Sequence, residues 1–178
     1  MDEEFLHLFE ESPALRLMRG RLGSFVVGFF MKTFKHWGVV EASEEELGAT
    51  FFADAEAAVR DADIVACATA AKEPVVFGEW IKSGAFVTAV GWNGHDGREL
   101  DDAAMANTVI VESVDAARNQ AGNIRGSGCD ILAEIGEIYV GTKAVPAGAT
   151  VIYDSVGIAI MDVAAAQLAY DLVRESQA

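Results

Sequence analysis

Basic residues are scarce in this chain, long apolar runs are missing, and only two cysteines occur in its 178 residues. Each shortage removes a class of function. Thirteen Lys and Arg stand against 28 Asp and Glu, a formal net charge of -15. A phosphate backbone would be repelled rather than neutralised, so no nucleic-acid partner is expected. The same acidity suits ordinary solubility or a salt-rich habitat, and the sequence leaves both open. Cys67 and Cys129 lie in no CxxC motif and no Cys/His cluster, so neither a metal site nor a disulfide framework is expected, and a reducing cytoplasm fits. No apolar stretch reaches the roughly 18 to 20 residues of a membrane span, so no membrane partner is expected. The nearest approach to a targeting segment, "GSFVVGFFM" at 23–31, is short, internal and preceded by the acidic start "MDEEF", which is not the pattern of a signal peptide.

The residues that remain are arranged as an α/β chain. At 52% hydrophobic and 23% charged, the composition is that of a globular protein with one core. From residue 44 onward, short β-branched runs alternate with Ala-rich helical stretches. The pattern predicts a helix at 54–62 opened by Asp54, a buried strand at 63–69, a short helix at 75–84 stopped by Gly84 and a strand at 85–91. A helix at 101–107, a strand at 108–113 and a helix at 114–122 follow. After a looser acidic segment come a strand at 149–155 and a long helix at 157–176. Runs such as "IVACA", "FVTAV" and "TVIV" are apolar without alternation, as strands buried on both faces of a parallel sheet are. The fold expected is α/β: a Rossmann-like parallel sheet with flanking helices over residues 44–178, behind an atypical helical and strand segment at 1–43, the whole forming one compact unit.

Within 1–43, "SFVVG" at 24–28, "FFMKTFKHW" and "GVVEAS" at 38–43 have the order strand, helix, strand, acidic residue that opens a dinucleotide-binding unit. The glycine pattern does not follow. Phe29 and Phe30 succeed Gly28, where close approach to a pyrophosphate needs a second Gly, and Glu41 is 13 residues past Gly28 rather than about 20. The first βαβ unit is therefore read as truncated or degenerate. Arg16, Arg19 and Arg21 read as solvated helix charges. His7 and His36 read as surface or packing residues. His95 alone lies in a loop where its titration near neutral pH gives it a claim to chemistry.

Ligands of parallel sheets bind beyond the carboxyl ends of the strands, and three unusual loops start there: "TAAKEP" after Ala68, "GWNGHDGRE" after Val90 and "DSVG" after Tyr153. The middle one is too long and too polar for a plain turn, which suggests that it faces a ligand. Its glycines, Gly91, Gly94 and Gly97, equally suit a loop that merely turns.

Four blocks, "RDADIVACATAAKEPVV", "AVGWNGHDGRELDD", "AEIGEIYVGTK" and "DSVGIAIMDVAAAQLAYDLV", resemble in order and spacing the ornithine cyclodeaminase and mu-crystallin family over roughly residues 45–173. The resemblance implies an NAD or NADP cofactor and a small amino or imino acid substrate. In the family, a hydride leaves the α-carbon of an amino acid to give an imine, which is attacked internally with loss of ammonia or hydrolysed, and some members run the reverse reduction. Carried over by position, Thr69, Val90, Gly91, Trp92, Asn93 and Ser155 would contact the cofactor, Asn93 and Val156 would border the substrate, and Asn93 is the candidate catalytic position. Cyclodeaminating members carry at that position an Asp thought to move the proton. A neutral amide cannot titrate near pH 7, so a redox reaction on another amino or imino acid is expected rather than cyclodeamination of ornithine. The resemblance also implies a chain nearly twice as long, with an N-terminal half that supplies an Arg and a Lys for the substrate carboxylate and much of a dimer interface. A homo-oligomer or a partner chain supplying that half is one expectation, and a non-catalytic nucleotide-binding protein or truncated member is the alternative.

Overall fold

The computed structural model describes residues 54–176, Phe52 and the backbone of a two-residue strand, Phe25–Val26. Among the described residues, six strands form one sheet: β1 (Phe25–Val26), β2 (Ile64–Cys67), β3 (Phe86–Ala89), β4 (Thr108–Val111), β5 (Ile131–Glu134) and β6 (Val151–Asp154), in the order β1-β2-β3-β6-β4-β5. Every pairing is parallel. The last strand returns to the middle of the sheet, between β3 and β4, because its run "VIYD" is apolar enough to be covered on both faces. The remainder of the first βαβ unit and the 43/44 boundary lie outside the described residues.

Register aligns the core. Val65, Val87, Ile152, Val109 and Ile131 form one row across five strands, and Val65, Val87, Ile152 and Val109 are almost fully buried. Val59, Val76, Leu100, Met105 and Val111 complete the same cluster from the helices, connections and neighbouring rows. The flanking helices are α1 (Ala55–Val59), α2 (Asp102–Met105), α3 (Val114–Gln120), α4 (Gly122–Ser127), α5 (Ile135–Tyr139) and α6 (Ala159–Ser176). Their starts follow side-chain chemistry. Asp54 accepts from the Glu56 and Ala57 amides to open α1, Asp101 accepts from Ala104 N to open α2, and Ser113 accepts from Ala116 N to open α3. Asp101 Oδ1 also accepts from Gly78 N at 2.8 Å, which fastens the single 3-10 turn Gly78–Trp80 to α2.

Two expectations need correction. The helix expected at 75–84 is only that 3-10 turn, because Val75 N and Val76 N donate to the Glu99 carbonyl at 2.9 and 3.0 Å and Val76 bridges Leu100. The looser segment after 122 is ordered into α4, β5 and α5, with α4 ended by Gly128 in the left-handed region at φ 62°. Among the described residues, no helix is long and apolar enough to cross a membrane.

Because Ile152 is fully buried between β3 and β4, Ile152→Ala is expected to lower unfolding free energy by about 2–5 kcal/mol. Urea denaturation followed by far-UV circular dichroism checks this, and a loss under about 1 kcal/mol would contradict a packed central row.

Candidate functional site

The sheet register that aligns the core also aligns its carboxyl edge. Cys67, Ala89, Asp154, Val111 and Glu134 lie abreast on β2, β3, β6, β4 and β5. Chain leaving this edge forms the turns that begin at Thr69, Gly91 and Ser155, so the three turns open on one end of the molecule. Direct bonds join them. Val90 N donates to Cys67 O and Ser155 N to Ala89 O, each at 2.9 Å. Gly91 packs so tightly on the first turn that an added Cβ would lie 2.2 Å from Thr69 O. Here glycine is required for close approach, since no Cβ fits.

A buried carboxylate fixes this arrangement. Glu99 is fully buried, and its Oε1 accepts from Thr69 N at 2.6 Å while Oε2 accepts from Gly91 N at 3.0 Å. Glu99 N donates to Asn123 Oδ1 at 2.9 Å, and Asn123 Nδ2 donates to Asp154 Oδ2 at 2.8 Å. A third acid, Glu112, accepts from Val156 N at 2.7 Å through Oε1, while its Oε2 is buried without a hydrogen-bond partner. Three carboxylates thus stand behind three turns. Burial, assisted by Glu112 and Glu99 and opposed by the Asn123 hydrogen bond, pushes the Asp154 carboxyl up to about 6. Burial pushes the Cys67 thiol up as well, with the Glu99 charge adding to the effect, so Cys67 is held as an unreactive thiol. Burial likewise raises the Tyr153 phenol, although its hydrogen bond with Ser155 works the other way.

The residues singled out from sequence fall into two kinds. Thr69, Asn93 and Ser155 are buried and polar. Thr69 Oγ1 accepts from Ala71 N, and Asn93 Nδ2 donates to Ala71 O at 2.8 Å, so Asn93 clasps the second turn to the first. Val90 and Trp92 are 49% and 62% exposed, an apolar rim beside those polar walls. Val156 is half-buried against the core, and its amide is held by Glu112. His95 is exposed and meets Trp92 edge-on, their ring centroids 6.2 Å apart. It also lines an open cavity of about 200 Å³ with Asp96, Gly122, Arg125 and Gly126. Sequence reasoning missed Glu99, Glu112, Asn123 and Asp154. A Glu between Arg98 and Leu100 reads as a solvent-facing loop acid. Among the described residues, no group of three His, Cys, Asp or Glu side chains could hold a metal ion.

An all-parallel sheet with three turns gathered at its carboxyl edge places the protein in the Rossmann-like class. The model of the ornithine cyclodeaminase/mu-crystallin family matches residues 34–177, and the chain belongs to this family. Ketimine reductase mu-crystallin of Mus musculus is 38% identical over 154 residues, covering 83% of this chain and 49% of its own length. Delta(1)-pyrroline-2-carboxylate reductase of Bacillus cereus is 32% identical over 150 residues, covering 77% of this chain and 46% of its own. The structure of Thermococcus litoralis Delta(1)-pyrroline-2-carboxylate reductase in complex with NADH and L-proline superposes with a TM-score of 0.67 at 34% identity, covering 77% of this chain and 46% of that one. The chain spans about half the length of the curated relatives it matches.

Replacing Glu99 by Gln leaves one oxygen for two amide donors and turns an NH2 toward one of them. Glu99→Gln is expected to cost about 1–3 kcal/mol and to speed hydrogen exchange at the Thr69 or Gly91 amide beyond any change at Val109 and Ile152. Uniform exchange changes at all four amides would refute a local brace.

For Asp154, a carboxyl raised in the folded state binds its proton more tightly there than in the unfolded chain. Its stabilising contribution is full below about pH 4 and is lost as pH rises through about 6. Asp154→Asn is therefore expected to remove on the order of 2–3 kcal/mol of stability difference between pH 4 and pH 7. Thermal melts of both chains across that range check the sign.

Proposed function

We propose that this chain forms the nucleotide-binding part of an NAD(H)-dependent oxidoreductase acting on a small imino or amino acid. The observation that carries the reading is the meeting of the Thr69, Gly91 and Ser155 turns at the carboxyl edge of β2, β3 and β6, tied by Glu99 and by the strand-end hydrogen bonds. Ligands of parallel sheets lie at such an edge. The Thermococcus litoralis reductase is described as a complex with NADH and L-proline, and the Bacillus cereus and Mus musculus relatives are named as reductases of a pyrroline carboxylate and of ketimines. These descriptions support an imine as the group reduced here.

The described residues suit the nicotinamide end of a dinucleotide. Val90 and Trp92 offer apolar surface, and Thr69, Asn93 and Ser155 offer polar side chains beside it. The two turn amides engaged by Glu99 are committed to the protein, so recognition falls to those side chains and to other backbone groups. A bound reduced nicotinamide would supply the hydride that turns an imine carbon into an amine carbon. Val90, Gly91 and Trp92 would border that nicotinamide. Asn93 would orient rather than titrate, since an amide neither gives nor takes a proton near neutral pH, and Val156 would border the substrate.

We assign residues 44–178 to this domain and residues 1–43 to an atypical helical and strand segment that forms one compact unit with it, a reading supported by the pairing of β1 with β2. The cytoplasm suits two cysteines that are both unpaired. Helix α6 supports association with another chain, either a second copy or a partner carrying the rest of the substrate site. Ile160, Met161, Val163, Leu168, Tyr170, Leu172 and Val173 are all exposed on it beside Asp162, Gln167, Asp171 and Arg174, and so much apolar surface on one helix is stable when covered.

Titration of the purified chain with NADH, read by nicotinamide fluorescence, is expected to saturate, and Gly91→Trp, whose side chain must displace the Thr69 turn, is expected to abolish the signal. A flat titration with the parent chain, or equal binding by Gly91→Trp, would defeat the proposal.

A further inference from the structure

The carboxyl edge of the sheet carries acids without matching bases. Glu99, Glu112 and Asp154 are 0%, 7% and 3% exposed, and the described ion pairs of Arg60, Lys82, Arg98 and Lys143 all go to other carboxylates. Each of the three stands behind a turn: Glu99 holds the Thr69 and Gly91 amides, Glu112 holds the Val156 amide, and Asp154 precedes Ser155. Their donors are all neutral amides. Glu112 goes furthest, because its Oε2 is buried with no hydrogen-bond partner at all. Its charge is felt along the edge, adding to the upward push on the Asp154 carboxyl and the Tyr153 phenol. Glu134, half-buried at the end of β5, accepts from Val114 N and adds a fourth acid. The other titratable groups here do not offset them. Cys67 and Tyr153 are a thiol and a phenol that burial keeps neutral, Arg98 pairs with Asp102, and Lys72 and His95 lie on the exposed rim, where water and salt screen charge.

We propose that these buried acids set the redox preference of the crevice, their negative field favouring the cationic nicotinamide of NAD+ over the neutral ring of NADH. The inference rests on the reading of this edge as the nicotinamide site. The two cofactor forms differ at that ring by one positive charge, and the turns assigned to the ring are the ones the acids brace. Fixed charges in a buried setting act on such a difference more strongly than exposed ones do. Tighter binding of the oxidised form makes the bound reduced form the stronger hydride donor, by linkage. The field thus suits a site that reduces an imine.

The test measures dissociation constants of NAD+ and NADH by calorimetry, at pH 8, for the whole parent chain, Asp154→Asn and Glu112→Gln. Each substitution removes a charge and keeps an amide oxygen for the donor its carboxylate held, Asn123 Nδ2 or Val156 N. In either variant the affinity for NAD+ relative to NADH is expected to fall by about threefold or more, with NADH affinity within about twofold of the parent's. The Asp154 carboxyl, pushed up to about 6, is ionised at pH 8 and takes a proton by pH 5. The parent's relative preference for NAD+ is therefore expected to decline over that range, and the decline to be smaller in Asp154→Asn. An unchanged or rising preference in both variants would overturn the proposal. Equal loss of both nucleotides would overturn it too, by reducing the acids to braces of the turns. Failure of the parent chain to bind either nucleotide would instead overturn the crevice reading on which the inference stands.

Discussion

The Glu99 carboxylate, shared between the amides of Thr69 and Gly91, is the contact on which the upper edge of the sheet depends. A carboxylate buried without partners would be prohibitive, and here each oxygen has a backbone donor. The main chain of the same residue is equally committed, with its carbonyl held by Val75 and Val76 and its amide by Asn123. One residue thus fixes two turns, the connection between them and the start of α4. Asn123 extends the tie to β6 without adding charge. Its Oδ1 accepts from both Glu99 N and Leu100 N, and its Nδ2 donates to Asp154. The neutral amide suits a place between two acids, where a third carboxylate would add repulsion and a Lys or Arg could not accept from the Glu99 and Leu100 amides.

Backbone contact explains why the long loop after β3 is rich in glycine. An added Cβ at Gly91 would meet Thr69, and one at Gly122 would lie 1.8 Å from Gly97 O. These are places where main chain packs on main chain, so the loop is held rather than loose. This resolves the choice left open by the sequence for Gly91: its glycine serves close approach, whereas Gly94 takes a positive φ of 73° and serves the turn itself. Close approach and a ligand-facing position are compatible, because thin walls let Trp92 and Val90 stand at the rim.

Legibility followed the range of the forces involved. Strands β2, β3, β4 and β6 were readable because burial on both faces leaves a run with no polar alternation, as at Ile64–Cys67 and Thr108–Val111, whereas β5 at Ile131–Glu134 was not. Asp54 was readable as a cap because its bonds reach only two and three residues along the chain. The stretch 75–84 misled because local helix preference there is outweighed by hydrogen bonds to Glu99, more than twenty residues away. The acids behind the crevice left no local trace at all. Glu99, Glu112 and Asp154 are defined by partners distant in sequence, and nothing in "GRELDD" separates the buried Glu from its solvated neighbours. The carboxyl-end rule alone brought the turns at Thr69, Gly91 and Ser155 together, the block resemblance went further by naming a family and a cofactor, and the family match over 34–177 agrees with that family.

The third turn connects the crevice to the outer surface of the molecule. Ser155 and Val156 are held from below, by Ala89 O and by Glu112, and only a short link separates them from α6. Every described residue from Ala159 to Arg174 is exposed, so no contact on the sheet fixes the direction of this helix. Cover supplied by another chain would set that direction, and through the short link it would load the turn that carries Ser155. The Glu112 bond to Val156 N resists such a load, because breaking it would leave both oxygens of a buried carboxylate without donors. Any such cover would therefore act on the turns at Val156, which has the apolar helix on one side and a buried acid on the other.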